Sequence, residues 1–319
     1  MNTMSLAFVF PGQGSQSVGM LDGFTQDYPV VRETLEEASA VLGYDLAALI
    51  SDDPDGRLDQ TEYTQPALLT ASIAIFRAWR TEGGTTPMLV AGHSLGEYSA
   101  LVAAGAIEFA DAVQLVRQRG RFMQEGVPVG IGSMAAVLGL EDAVVERVCG
   151  RISTLEAFVA PANYNAPGQV VIAGHTAAVD AALEGLKEAG ARRAVKLAVS
   201  VPSHTLLMRA AADRLAELLD GLTIRMPAIP VLHNVDGRAR DDLVSLRSAL
   251  AEQLYLPVRW TDTIRHLAQG YRIEHVLECG PGRVLGGLIG RIESSLQVAG
   301  MATPEHLRSA LKALQSSRG

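Results

Sequence analysis

In this 319-residue chain, Gly92-His93-Ser94-Leu95-Gly96 is the short segment with the clearest chemical potential. It follows an apolar run, Pro87 to Ala91, and precedes a helical pattern, Tyr98-Ser99-Ala100-Leu101-Val102. A G-x-S-x-G in that setting predicts a nucleophile elbow, a tight strand-to-helix turn that pushes the serine hydroxyl out at the carboxyl end of a sheet. The helix behind Ser94 aims its first amides at the site, which makes the Leu95 N–H a candidate oxyanion donor. The loop Gly12-Gln13-Gly14 could supply a second amide from Gln13, although by itself Gly-Gln-Gly reads first as a plain turn.

Serine is a poor nucleophile without a base, so one of the seven histidines should reach Ser94. Sequence order alone does not choose among them. His204, in Ser200-Val201-Pro202-Ser203-His204, stands where the chain returns from an inserted unit and a domain interface would form a cleft. His93 is expected to point the other way off the elbow, and His175, His266, His275 and His306 to be surface or packing residues.

Arg119 lies in a helix predicted over Asp111 to Glu125, in one apolar stripe with Leu115 and Phe122. No carboxylate is within helical reach, whereas Arg121 has Glu125 four residues on. An arginine on an apolar face needs an anion, because an unpaired buried guanidinium is costly. Either a distant Asp or Glu supplies it or a substrate carboxylate does, and a carboxylate would suit the fork.

These groups must be positioned by strands and helices that the pattern also indicates. Leu6 to Phe10 is an apolar run ended by Pro11-Gly12, and Leu232 and the stretch Ile273 to Cys279 sit in similar segments. Helical patterns lie between them, so the fold class is α/β, with a parallel sheet covered on both faces. From Gly132 to Ser200 the order becomes strand, helix, strand, strand, helix, strand, which predicts a ferredoxin-like subdomain inserted at about residues 128 to 200. In its second helix Val179, Ala182, Leu183 and Leu186 form the stripe, with Thr176 as N-cap and Gly190 as the stop. Thr303-Pro304-Glu305 predicts a last helix whose Leu307, Leu311 and Leu314 pack on the large domain.

Composition narrows the function classes. The chain is 48% hydrophobic and 19% charged with a net charge of −8, which argues against a general nucleic-acid binder. Cys149 and Cys279 are too few for a disulfide framework and lack metal-ligand spacing, so core packing in a reduced cytosol is expected, with no metal. The first residues, MNTMSLAFVFPGQG, lack a basic region before the apolar run and read as a strand, not a signal peptide. With no uninterrupted apolar span, the chain is expected to be soluble, away from the membrane.

Several segments together resemble the malonyl-CoA:acyl carrier protein transacylases of bacterial type II fatty-acid synthesis, essentially end to end. They are Phe10-Pro11-Gly12-Gln13-Gly14-Ser15-Gln16, Thr64-Gln65-Pro66-Ala67, Gly92-His93-Ser94-Leu95-Gly96-Glu97, Gln118-Arg119-Gly120, Asn163 to Gln169, Val201-Pro202-Ser203-His204 and Glu278-Cys279-Gly280-Pro281-Gly282. The resemblance implies an α/β-hydrolase-like large domain, residues 1–127 and 201–319, interrupted by the ferredoxin-like subdomain at 128–200, with the active site between them. It implies Ser94 as nucleophile, His204 as base, Arg119 as the clamp on the malonyl carboxylate and the amides of Gln13 and Leu95 as oxyanion hole. Gln253 is implied to orient His204 through its backbone carbonyl in place of a triad acid, and Asn165 to line the site. The implied partners are malonyl-CoA and holo acyl carrier protein, with no cofactor, in a cytoplasmic monomer. Acyl carrier protein is acidic, so a local positive surface is needed, and Arg192, Arg193 and Lys196 form a candidate patch or else a solvated strand edge. Polyketide synthesis or malonate decarboxylation would use the same motifs; a serine hydrolase or thioesterase would share the elbow without needing Arg119.

Overall fold

A computed structural model describes residues 5–199 and 201–316 of the chain. The first sheet holds five parallel strands, β1 (Leu6–Phe10), β2 (Leu89–Gly92), β7 (Val231–Leu232), β8 (His275–Glu278) and β9 (Gln297–Gly300), in the order β7-β2-β1-β8-β9. Central β1 is buried along its whole length, as an apolar run covered on both faces should be. Leu6, Phe8 and Phe10 join one core cluster and Ala7 and Val9 the other, the period of two expected of a strand. On the first face Phe8 meets Trp79 edge-on at 5.5 Å between ring centres. Burying such a side chain stabilises the fold by about 2–3 kcal/mol.

The second sheet is antiparallel and comes from the middle of the chain. Strands β3 (Gly132–Leu138), β4 (Val159–Ala166), β5 (Gln169–His175) and β6 (Arg193–Lys196) run in the order β4-β5-β3-β6. Helices Asp142–Ile152 and Thr176–Glu188 cover one face and share a core with Ala135, Val137, Val170 and Ile172. The other face, with Met134 and Val171, looks into the cavity that carries the site. This is the strand-helix-strand-strand-helix-strand order of a ferredoxin-like unit.

Local expectations fare unevenly. Thr176 is not an N-cap: it is the first helical residue, and its hydroxyl donates to the Gly130 carbonyl while His175 precedes the helix. Gly190 does follow the helix end in a left-handed conformation. The arginine-bearing helix runs Phe109–Gly126, slightly longer at both ends than expected. Leu307, Leu311 and Leu314 of the Pro304–Ser316 helix are buried in the large core. Cys149 and Cys279 are free and buried, and burial pushes both thiols up. Among the described residues no helix is long and apolar enough to cross a membrane. Ser200, the last residue of the expected insert, lies outside the described residues, as do residues 1–4 and 317–319.

Candidate active site

Between the two sheets lies a cavity of about 450 Å³, lined among others by Gln13, Ser94, Leu95, Arg119, Asn165 and His204. Its volume is in the range of small-molecule sites. Ser94 sits where β2 turns into the Gly96–Ala103 helix, at φ +50°, a left-handed conformation that a non-glycine residue adopts at a cost. The turn is tight enough that a Cβ on Gly96 would collide with the Phe10 carbonyl oxygen of β1. Asn234 fastens the turn, accepting from the Ser94 amide through Oδ1 and donating through Nδ2 to the Gly92 carbonyl, both at 2.6 Å.

The Ser94 hydroxyl lies 2.8 Å from His204 Nε2, and His204 Nδ1 lies 2.6 Å from the Gln253 backbone carbonyl. A carbonyl can only accept, so Nδ1 carries the hydrogen and Nε2 presents its lone pair to Ser94. His204 is also left-handed, at φ +63°, and its own amide donates to the Leu254 carbonyl. Burial, the nearby Arg119 charge and His93 push its pKa down to about 3 against the opposing Gln253 hydrogen bond. The imidazole is therefore neutral and able to accept a proton.

Arg119 is 1% exposed and lies beside the serine, with Nη2 3.4 Å from Ser94 Oγ. Of the two anions considered for it, a distant Asp or Glu is not its partner among the described residues. Nη1 donates to Gln65 Oε1 at 2.8 Å and Nη2 to Gln253 Oε1 at 2.9 Å, while Tyr98 offers its ring face at 5.4 Å. Burial lowers the guanidinium pKa. Two neutral amide oxygens thus hold a cation that no anion touches among the described residues. Gly120 makes this possible: a Cβ there would stand 2.7 Å from the Thr61 carbonyl, so glycine lets the Thr61–Thr81 helix, and Gln65 with it, come close. Arg121 pairs with Glu125 at 3.5 Å, as the spacing predicts.

His93 departs from expectation. Its ring lines the same cavity, where Nε2 donates to Asn165 Oδ1 at 2.8 Å and Trp260 packs edge-on at 5.5 Å, while burial lowers its pKa. Asn165, given no independent role by its spacing, is the residue that holds His93. Gln13 and Leu95 both border the cavity beside Ser94. Arg192, Arg193 and Lys196 are exposed on and beside the edge strand β6, outside the cavity, and Lys196 Nζ pairs with Asp180 at 2.6 Å. Sequence reasoning gave no role to Glu97, His233 or Asn234, which form a buried cluster under the elbow. The signal available was Glu97 itself, a carboxylate three residues after the serine in an otherwise apolar helix start.

The model of the family described as "Acyl transferase domain" matches residues 7–281. The chain belongs to the acyl transferase family. The malonyl CoA-acyl carrier protein transacylase of Salmonella typhimurium is 54% identical over 306 residues, 96% of this chain and 98% of that protein. The crystal structure of the malonyl-CoA:acyl carrier protein transacylase of Xanthomonas oryzae pv. oryzae superposes with a TM-score of 0.95 at 55% identity, covering 98% and 99% of the two chains. A malonyl-transacylase solved with a type II polyketide-synthase acyl carrier protein superposes at 0.94 with 49% identity, covering 97% and 99%. This acyl transferase therefore shares its fold and nearly its full length with those enzymes.

Proposed function

We propose that this acyl transferase moves a malonyl group from malonyl-CoA to the phosphopantetheine thiol of holo acyl carrier protein through a malonyl-serine intermediate. The observation that carries the reading is a buried Arg119, unpaired with any carboxylate among the described residues, 3.4 Å from a serine that is hydrogen-bonded to a neutral histidine. A serine hydrolase has no need of such a cation, whereas a thioester ending in a free carboxylate does.

In the first half-reaction Ser94 Oγ attacks the thioester carbonyl as its proton passes to His204 Nε2. The carbonyl oxygen, now negative, faces the backbone amides of Gln13 and Leu95. As the intermediate collapses the C–S bond breaks, and the CoA sulfur leaves with the proton from His204. The Gln253 carbonyl, 2.6 Å from Nδ1, keeps the imidazole in the productive tautomer and accepts from the imidazolium as it forms, the task a carboxylate performs in a serine triad. The carrier thiol then runs the same steps in reverse.

Arg119 does two jobs in this scheme. Its fork takes the malonyl carboxylate, exchanging neutral acceptors for a charged one. Burial first and the Arg119 charge second depress the His204 pKa, and a malonyl carboxylate on the fork offsets the second, so a malonyl group strengthens its own base where an acetyl group does not.

The catalytic unit in this reading is the cavity between a large domain, residues 1–127 and 201–319, and an insert at 128–200, working as a cytoplasmic monomer. Arg192 and Arg193, with Lys196 already tied to Asp180, are the carrier-docking candidates. The test is a transfer assay with labelled malonyl-CoA and holo carriers of both fatty-acid and polyketide type. Label on the carrier supports the reading, and label released as free malonate overturns it in favour of a hydrolase.

A further inference from the structure

Behind the elbow lies a buried anion that the reaction as derived does not use. Glu97, in the first turn of the Gly96–Ala103 helix, is wholly enclosed, and three donors divide its carboxylate. Oε1 accepts from His233 Nδ1 at 2.6 Å; Oε2 accepts from the Asn234 amide at 3.0 Å and from Gln253 Nε2 at 2.8 Å. Gln253 Nε2 also donates to the Ser94 carbonyl at 2.9 Å.

A primary amide has two N–H donors on one side and an oxygen on the other. With both N–H groups committed to Glu97 and to the Ser94 carbonyl, the Gln253 oxygen is left facing Arg119 Nη2 at 2.9 Å. Turned over, the same amide would set its oxygen against two acceptors and its NH2 against a guanidinium, losing every one of these bonds. The carboxylate thus dictates the sense of the amide. It also supplies charge balance. Glu97 and Arg119 are the buried anion and cation of this site, and they stand on opposite sides of one amide instead of in contact. A carboxylate touching Arg119 would compete with a substrate carboxylate for the fork, and with no anion nearby the buried cation would be costly.

We infer that Glu97 is a positioning residue for acyl-group selection: through the Gln253 side chain it holds Arg119 oriented and open to a substrate carboxylate. Because the backbone carbonyl of the same Gln253 accepts from His204, the residue that Glu97 fixes both holds the clamp and orients the base. His233 and Asn234 hold Glu97 in turn, and Asn234 reaches the Ser94 amide, so the cluster ties elbow, base and clamp to one anion.

The inference rests on the malonyl-transfer reading, and its test separates the two. Second-order rate constants for malonyl and acetyl transfer are measured for the wild type, Glu97→Gln, Arg119→Ala and the double variant, with the far-ultraviolet spectrum as a fold control. A wild type that does not prefer malonyl sinks the parent reading. With that preference present, Glu97→Gln is expected to lower the malonyl-to-acetyl ratio about tenfold, equivalent to about 1.4 kcal/mol, and to have no further effect on the ratio once Arg119 is gone. A ratio unchanged in Glu97→Gln, or lowered as much again in the Arg119→Ala background, overturns the inference, because a purely structural Glu97 would slow both substrates alike. If Glu97→Gln does not fold, Gln253→Met removes the bridging amide but keeps the backbone carbonyl. It is expected to lower the ratio similarly, and an unchanged ratio refutes the relay.

Discussion

Replacing Arg119 with alanine should convert a malonyl-selective enzyme into one that barely distinguishes malonyl from acetyl. In the free site the guanidinium spends two bonds on neutral amide oxygens, at 2.8 and 2.9 Å. A hydrogen bond between neutral partners contributes about 1 kcal/mol net and a charge-assisted one about 1.5–3 kcal/mol. Exchanging both amide acceptors for two bonds to a carboxylate therefore gains about 1–4 kcal/mol, or between about 5-fold and about 1,000-fold in kcat/KM for malonyl-CoA. Acetyl-CoA gains nothing from the fork. The variant also removes a positive charge that holds the His204 pKa down, so acetyl transfer should be unchanged or faster. Stopped-flow acylation with each thioester reads both constants. The vacated space leaves the Gln65 and Gln253 oxygens unpaired, so a melting curve must accompany the kinetics. Equal losses on both substrates in a folded variant would refute the clamp.

Four further outcomes follow from the same geometry. Since a depressed pKa keeps His204 neutral, the rate of serine acylation should stay flat as pH falls through 6.5 and decline only in more acid solution; half-loss near 6.5 in a pH profile would contradict the burial argument. Asn234→Ala removes both 2.6 Å bonds that fasten the elbow and should cost about 1–3 kcal/mol of stability, with acylation slowed at least about tenfold; an unaltered melting temperature and rate would count against it. In Gly120→Ala the methyl group would press on the Thr61 carbonyl and part Gln65 from Arg119, raising KM for malonyl-CoA and destabilising by about 1–3 kcal/mol, which titration and thermal melts would show. Charge reversal at Arg192 and Arg193 should raise KM for the carrier protein, more at low salt, while leaving loading from malonyl-CoA intact; an unchanged carrier KM removes these residues from docking.

The parts of the fold written in local pattern were legible in the sequence. β1 and β2 are apolar runs closed by glycine turns, and the inserted unit announces itself by its order of strands and helices. Ser94 was legible because an elbow needs glycines at fixed places. Arg119 was legible because a lone charge on an apolar stripe demands an explanation, although its partners, two glutamines 54 and 134 residues away in sequence, were not. His204 was favoured by its place at the end of the insert. Its contact with Gln253, and the cluster of Glu97, His233 and Asn234, depend on element ends from remote parts of the chain meeting under the elbow, and no spacing encodes such a meeting. Thr176 shows the converse: a residue type typical of caps was drawn instead to the Gly130 carbonyl by tertiary contact.

Whether Ser94 carries the acyl group can be read by intact-protein mass spectrometry. The enzyme is mixed with malonyl-CoA, beside a Ser94→Ala control, and holo acyl carrier protein is then added. One malonyl adduct is expected on the native chain, none on the control, and it should leave the enzyme as the carrier gains the same mass. An adduct that persists in Ser94→Ala, or no adduct while the carrier is still malonylated, would contradict a malonyl-serine intermediate.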